Sequence, residues 1–317
     1  MMNRFCGLRK LLFVLGILNG SSAIWADDVK QAAAIELTDF QVYPINGIDQ
    51  IEPSGLTLKE GVLFTVGDKH RAIYRLDIIN HEAWLTKALN LNSEQDLGVT
   101  ALDLEGITTV NGEFILVSES HHRLIHVDDG QLRWLPERGN DLYQSAFDAG
   151  LLQLHNAGLE AVTYLGGHRF LVAAERQPRG LIEIQFDRDL KVIQSQLNQL
   201  MPNSRQHLHG RHPDLTGLFV HHNQVFGLQR NAYVIHELNR SGQGDYSEGQ
   251  AWSYEHIVRD SRFAYSDMQY GHAEGLAVDD DFFYLVLDNN RMANAKNPND
   301  KRPLLIIAKR PVLYRRD

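Results

Sequence analysis

The chain is 317 residues long, 43% hydrophobic and acidic, with 40 Asp and Glu against 31 Lys and Arg. The net charge of −9 argues against nucleic acid or an anionic membrane surface as a partner, and a single cysteine leaves no disulfide framework and no cysteine metal site. The length suits one large all-β domain or two smaller ones, and no Gly-Ser linker or low-complexity tract divides it, which favours one domain.

The first 26 residues read as a targeting segment. Arg4, Arg9 and Lys10 are followed by the apolar run Leu11 to Leu18, too short to span a bilayer, and then by small residues that allow cleavage after Ala23 or Ala26. Removal takes away Cys6 and three bases, leaving a thiol-free chain of 28 bases against 40 acids. A cysteine-free exported chain suits a bacterial periplasm or secretion, with no stable membrane insertion. Residues 27–317 are then a single domain.

From there on a unit recurs five times. A small or acidic residue, a Gly or Ala and an aliphatic open one strand, and 13 to 15 residues later a second strand ends on an acid or amide. The copies run from Ser54-Gly55-Leu56 to Asp68, Glu105-Gly106-Ile107 to Glu119, Glu160-Ala161-Val162 to Glu175, Thr216-Gly217-Leu218 to Gln229, and Glu274-Gly275-Leu276 to Asp288. In the second copy Asn111-Gly112 is a hairpin signal between two apolar runs, and Leu124 to Val127 adds a third strand. Glu82 to Leu91 and Gln131 to Leu135 supply outer strands. The period of 51 to 58 residues predicts an all-β fold, a single β-propeller of five blades, with a sixth hidden in 241–270 as the alternative. The last unit runs out of chain near Leu313. The spare strand Ile35 to Ile45 is expected to pair there and close the ring. Asp141 to Gln153 reads as a short loop helix and Gln196 to Asp214 as a polar loop, both on the face where the inner strands begin.

Propeller topology places the start of each first strand beside the end of the second. Glu105 with Glu119, Glu160 with Glu175, and Glu274 with Asp288 should therefore meet at one mouth of the channel. Crowded carboxylates resist ionising together unless a cation compensates them, and an oxygen-only ligand set suits Ca²⁺ ahead of Mg²⁺ or Mn²⁺. The competing reading is that these residues cap blades or pair with the bases that follow them, which contributes little. Among those bases, Arg176, Arg230 and Arg291 could form a cationic rim that holds a small anionic ester. His155 and His272, which precede Glu160 and Glu274, are the candidates for proton transfer. His207-Leu208-His209 and His221-His222 could bind a transition metal or simply be solvated. There is no Gly-x-Ser-x-Gly elbow, phosphate-cradling Gly-rich loop or His-Glu-x-x-His.

The segments Ser54-Gly55-Leu56-Thr57, Asp103-Leu104-Glu105-Gly106-Ile107-Thr108 and Ala273-Glu274-Gly275-Leu276-Ala277 resemble the bacterial SdiA-regulated family and the related phytase-like, or esterase-like, propeller domains. The resemblance spans roughly residues 36 to 310. It implies an exported β-propeller that binds Ca²⁺ through Glu105, Glu160 and Glu274, and implies an enzyme only weakly. Ala161 and Thr216 depart from the family pattern, which leaves a fourth ligand open. Two functions follow as expectations. One is a monomeric, metal-dependent hydrolase of an ester or phosphoester; the other is a non-catalytic propeller that binds a ligand or protein and holds a structural Ca²⁺.

Overall fold

The computed structural model describes residues 33–137, 141–188, 191–200 and 207–311. The targeting segment and Leu313 lie outside them. The described chain is built almost wholly from antiparallel hairpins. Strands β1 (Ile35–Glu36) and β2 (Phe40–Asn46) come first. The first blade is β3 (Pro53–Lys59), β4 (Val62–Gly67), β5 (Ala72–Ile79) and β6 (Glu82–Asn90). After helix α1 (Ser93–Leu97), the second is β7 (Leu104–Val110), β8 (Glu113–Ser118), β9 (Arg123–Asp128) and β10 (Gln131–Leu135). After α2 (Asp141–Asp148), the third is β11 (Leu159–Gly166), β12 (Arg169–Ala174), β13 (Gly180–Phe186) and β14 (Val192–Gln199). The fourth is β15 (Gly217–His221), β16 (Gln224–Gln229), β17 (Val234–Arg240) and β18 (Tyr246–Ser253). Helix α3 (Glu255–Val258) leads to β19 (Ala273–Val278), β20 (Phe282–Leu287) and β21 (Leu304–Lys309).

The innermost strands β3, β7, β11, β15 and β19 touch in that order, and β19 touches β3 again, so the ring is closed. Five apolar clusters fill the five gaps between neighbouring blades. Between the fourth and fifth blades, Phe283 packs on Trp252 at 5.1 Å and on Phe226 at 5.9 Å, in tilted and edge-on geometries. Such aromatic pairs add roughly 0.5–1.5 kcal/mol each beyond the area they bury.

Closure works as the spare strand suggested, with one refinement. Strand β2 pairs antiparallel with β21, Phe40 opposite Ala308, and becomes the outer strand of the fifth blade. Ile35 and Glu36 instead add in parallel to β18 of the fourth blade. The break falls at residues 37–39, so Ile35 to Ile45 is two strands, and the end of the second also pairs in parallel with β6 of the first blade, Ile45 opposite Ala83. Segment 241–270 forms no sixth sheet; it supplies β18 and α3. The hairpin at Asn111-Gly112 takes positive φ at both residues, +51° and +88°, as a two-residue turn matched to strand twist requires.

The Gly of each repeat, Ala161 in the third, marks the neck of the channel. A Cβ on Gly106 would lie 2.9 Å from Ala161 Cα and Glu160 O, and one on Gly275 would lie 2.7 Å from Leu56 N. Inner strands approach one another at this level, which is why the slot after the marked residue is small.

Candidate metal centre at the channel mouth

In four of the five blades the residue before the neck position is an extra residue in its strand. The β3–β4 register skips between Pro53 and Gly55, β7–β8 between Leu104 and Gly106, β11–β12 between Leu159 and Ala161, and β19–β20 between Ala273 and Gly275. A bulge frees one residue from the ladder and re-aims its side chain. The four freed residues are Ser54, Glu105, Glu160 and Glu274, and all four line one cavity of about 210 Å³. Glu119, Glu175, Asp68 and Asp288, at or just beyond the ends of the second strands, line it too. The six glutamate and aspartate candidates are thus brought together.

The fourth blade differs. Thr216 is 1% exposed, and its hydroxyl donates to Ala273 O at 2.9 Å. Gln229 is buried and meets His236 Nε2 at 3.0 Å. Neither lines the mouth, and Arg230 fills their sector. Its Nε donates to Asp214 Oδ2 at 2.9 Å, and its two terminal nitrogens donate to Glu274 and Glu175. Burial opposes the charge of Arg230, but Glu274, Asp214 and Glu160 outweigh burial and hold the guanidinium above its usual range. Arg230 is therefore not a free rim cation but a strut among three blades.

Arg176 also lines the cavity, bonded to Glu175 and donating to Asn156 O at 2.7 Å. Arg291 is exposed and donates to Glu52 Oε1 at 2.9 Å, with Lys69 on the other oxygen. His155 is exposed and does not line the cavity. His272 is buried with Nδ1 2.8 Å from Asp288 O and Nε2 3.0 Å from Asp267 O, so both ring nitrogens face backbone carbonyls. Among the other turn histidines, His121 contacts Ser118 Oγ at 2.9 Å, and His122 stacks on Tyr143 of α2 at 4.6 Å, which brings that helix to the mouth face as expected.

Sequence reasoning missed Glu52, Asp103 and Asp214. Each stands two residues before a marked slot, as Gly158 and His272 do in the other copies. The carbonyls of Asp103, Gly158 and His272 accept from Glu119, Glu175 and Asp288 N–H, at 2.9, 3.0 and 2.8 Å. Asp214, taken as part of a polar loop, is fully buried against Arg230. That second polar column in the repeat was the signal available.

Eight carboxyl groups and two guanidiniums line the mouth. Burial, then repulsion from Glu274 and Glu119, pushes the Glu105 carboxyl well above the usual range. Burial, then Glu105 and Glu119, does the same to Glu160. Glu119 and Glu274 are raised chiefly by burial, against the pull of Gly158 N–H and Arg230 respectively. Asp288 is pushed up to about 7, first by burial and then by Glu274 and Glu52. Glu175 Oε2, Glu274 Oε2 and Asp68 Oδ1 are buried with no hydrogen-bond partner among the described residues. Oxygens of Asp103, Glu105 and Glu119 lie within 4.8 Å of one another, as do those of Glu119, Glu160 and Glu175. Two overlapping triads thus share Glu119. Orphaned carboxylate oxygens, excess negative charge and oxygen-only donors fit a hard dication with six to eight ligands.

Residues 31–292 match the SdiA-regulated family, and the chain belongs to it. Comparison with curated proteins returns no match. Among solved structures the chain is similar to the glutaminyl cyclase of Myxococcus xanthus, with a TM-score of 0.53 at 9% identity over 86% of this chain and 97% of that one. It also aligns with a gluconolactonase of Xanthomonas campestris, with a TM-score of 0.43 at 7% identity over 87% of this chain and 91% of that one. The WD40 propeller domain of Doa1 aligns with a TM-score of 0.40 at 11% identity over 86% of this chain and 97% of that one. The chain is thus a β-propeller of the SdiA-regulated family.

Proposed function

We propose that this protein is an exported propeller that binds a dication, Ca²⁺ ahead of Mg²⁺ or Mn²⁺, at the channel mouth and hydrolyses a small anionic ester there, a phosphoester foremost. The observation that supports it most is the set of eight carboxyls facing two guanidiniums in one cavity, with three buried carboxylate oxygens that have no hydrogen-bond partner among the described residues. Glu105, Glu119 and Glu160 would hold the cation, with Glu175, Glu274, Asp103 and Asp288 around them. A bound dication supplies Lewis acidity toward an ester oxygen. Burial and neighbouring acids hold the Glu105 and Glu160 carboxyls well above the usual range, so the cation they share would be what keeps them ionised. Arg176, already anchored by Glu175 and Asn156, is the cation best placed to orient an anionic group. His155 stands next to Asn156, which lines the cavity, and His272 beside Asp288.

Export through residues 1–26 belongs to this proposal, as does a monomeric state; no described helix is long and apolar enough to cross a membrane. The second reading is a non-catalytic propeller with a structural Ca²⁺ that binds a ligand or protein. Arg230 favours it, because three carboxylates occupy its guanidinium, and so does His272, whose nitrogens both face carbonyls.

The test is metal analysis of the purified protein with a chelator melt, followed by a screen of chromogenic phosphate and carboxylate esters. Bound metal, a lowered melting point on chelation and ester turnover lost in Glu105→Gln/Glu160→Gln are expected. No metal and no melting shift would end the cation reading. Turnover that survives the double substitution would move the reaction elsewhere.

A further inference from the structure

The turns joining each first and second strand lie at the end of the channel away from the mouth. At that end the β15–β16 turn of the fourth blade carries His221 and His222, and the β19–β20 turn of the fifth carries Asp280. His221 Nε2 lies 2.9 Å and His222 Nε2 lies 2.8 Å from the same oxygen, Asp280 Oδ1. The two rings are 4.1 Å apart and tilted by 53°. His222 takes a left-handed φ of +47°, which turns its ring beside that of its chain neighbour. We propose that His221, His222 and Asp280 form a second metal site, chemically distinct from the mouth, that takes a borderline transition-metal dication such as Zn²⁺.

Size and ligand type support the assignment. Ligands about 2.0–2.1 Å from a tetrahedral Zn²⁺ are about 3.3 Å apart, so contacts of 2.8 and 2.9 Å need to open by only about half an ångström. Two imidazoles and one carboxylate leave a fourth position for water, as in open zinc sites. The mouth offers only oxygen donors, which suit hard cations; imidazole nitrogens suit the transition series. Side-chain exposure of 18% for His221 and 76% for both His222 and Asp280 lets an ion enter from solvent. The nearby Arg310 feels the charge of Asp280 but makes its bonds elsewhere. It donates to Asp279 O at 2.5 Å and lies on the Phe226 and Phe283 rings. The two sites are separated by about six strand residues from Glu274 to Asp280, roughly 20 Å. Because its ligands come from two blades, a bound ion also ties the fourth blade to the fifth across their outer turns.

The experiment is Zn²⁺ titration by calorimetry in excess Ca²⁺, with the absorption of Co²⁺ substituted at the site as a report of ligand geometry. One equivalent is expected, with a tetrahedral Co²⁺ band. His222→Asn and Asp280→Asn, both at exposed positions, should each weaken binding by at least about tenfold, whereas Glu105→Gln/Glu160→Gln should leave it unchanged. Absence of Zn²⁺ binding overturns the proposal. Binding that survives both turn substitutions, or that follows the mouth variant or a His209→Asn variant instead, also overturns it.

Discussion

Arg230 and Glu175 stand on neighbouring blades, and a guanidinium nitrogen of the first donates to a carboxylate oxygen of the second. Arg230 also carries Asp214 and Glu274, so removing it takes a charge partner from three buried acids at once. Arg230→Ala should destabilise the cation-free protein by about 3–5 kcal/mol in a denaturant titration. Excess Ca²⁺ should recover part of that loss. Arg230→Lys should recover little, since an ammonium cannot fork toward three carboxylates. An Arg230→Ala protein as stable as the parent would remove Arg230 from its strut role.

Glu119 belongs to both oxygen triads, whereas Asp103 and Glu175 each belong to one. Glu119→Gln should therefore weaken Ca²⁺ binding more than Asp103→Asn or Glu175→Gln, by at least about tenfold relative to the parent. Calorimetry on the three variants ranks them directly. Equal losses would mean that the triads do not share a ligand.

The pH dependence has a definite sign. Below about pH 4 Asp288 is protonated in both folded and unfolded chains. As pH rises, the unfolded carboxyl, near 3.8, ionises first, while the folded one holds its proton until about 7. Stability is therefore lost through that window. The melting temperature of chelated protein should fall from pH 4 to 7 more steeply in the parent than in Asp288→Asn. Saturating Ca²⁺ should flatten the slope by favouring the ionised acids. A parent and variant with parallel profiles would show that Asp288 ionises normally.

At the neck, Gly106→Ala forces a Cβ to within 2.9 Å of backbone atoms of the third blade. Its cost should be about 1–3 kcal/mol, read from chemical denaturation. Thr109→Ala, in the same strand and with ordinary backbone conformation, serves as the control for local changes. A neutral Gly106→Ala would mean that the inner strands are less tightly apposed.

The fold was legible because its signals are local and repeated. Alternating apolar runs, the Asn111-Gly112 turn and the spaced small residues each follow from chain geometry within one blade. So did the convergence of Glu105, Glu160 and Glu274, since topology alone brings those slots together. What escaped was anything set between blades. Nothing in the sequence beside Arg230 says that its guanidinium will reach Glu175 and Glu274, 55 and 44 residues away. Local reading paired it with Gln229 and treated it as rim. His272 is a proton-transfer candidate from its place just before Glu274, but the register skip at Ala273/Gly275 lies between them and the ring sits between two carbonyls. Asp214 escaped because its loop is polar in composition, whereas its own environment is fully buried.

The pairing of Phe40 with Ala308 joins opposite ends of the described chain. A chain emerging from its N-terminus holds β2 ready long before β21 exists, so completion of the circle waits for residues more than 260 positions later. That separation favours slow folding. It also makes the molecule a candidate for circular permutation. Joining the strands at the β2–β21 seam and opening the chain at an exposed turn such as Asn80-His81 would make β2–β21 a local hairpin and move the long-range closure to the β5–β6 pair of the first blade.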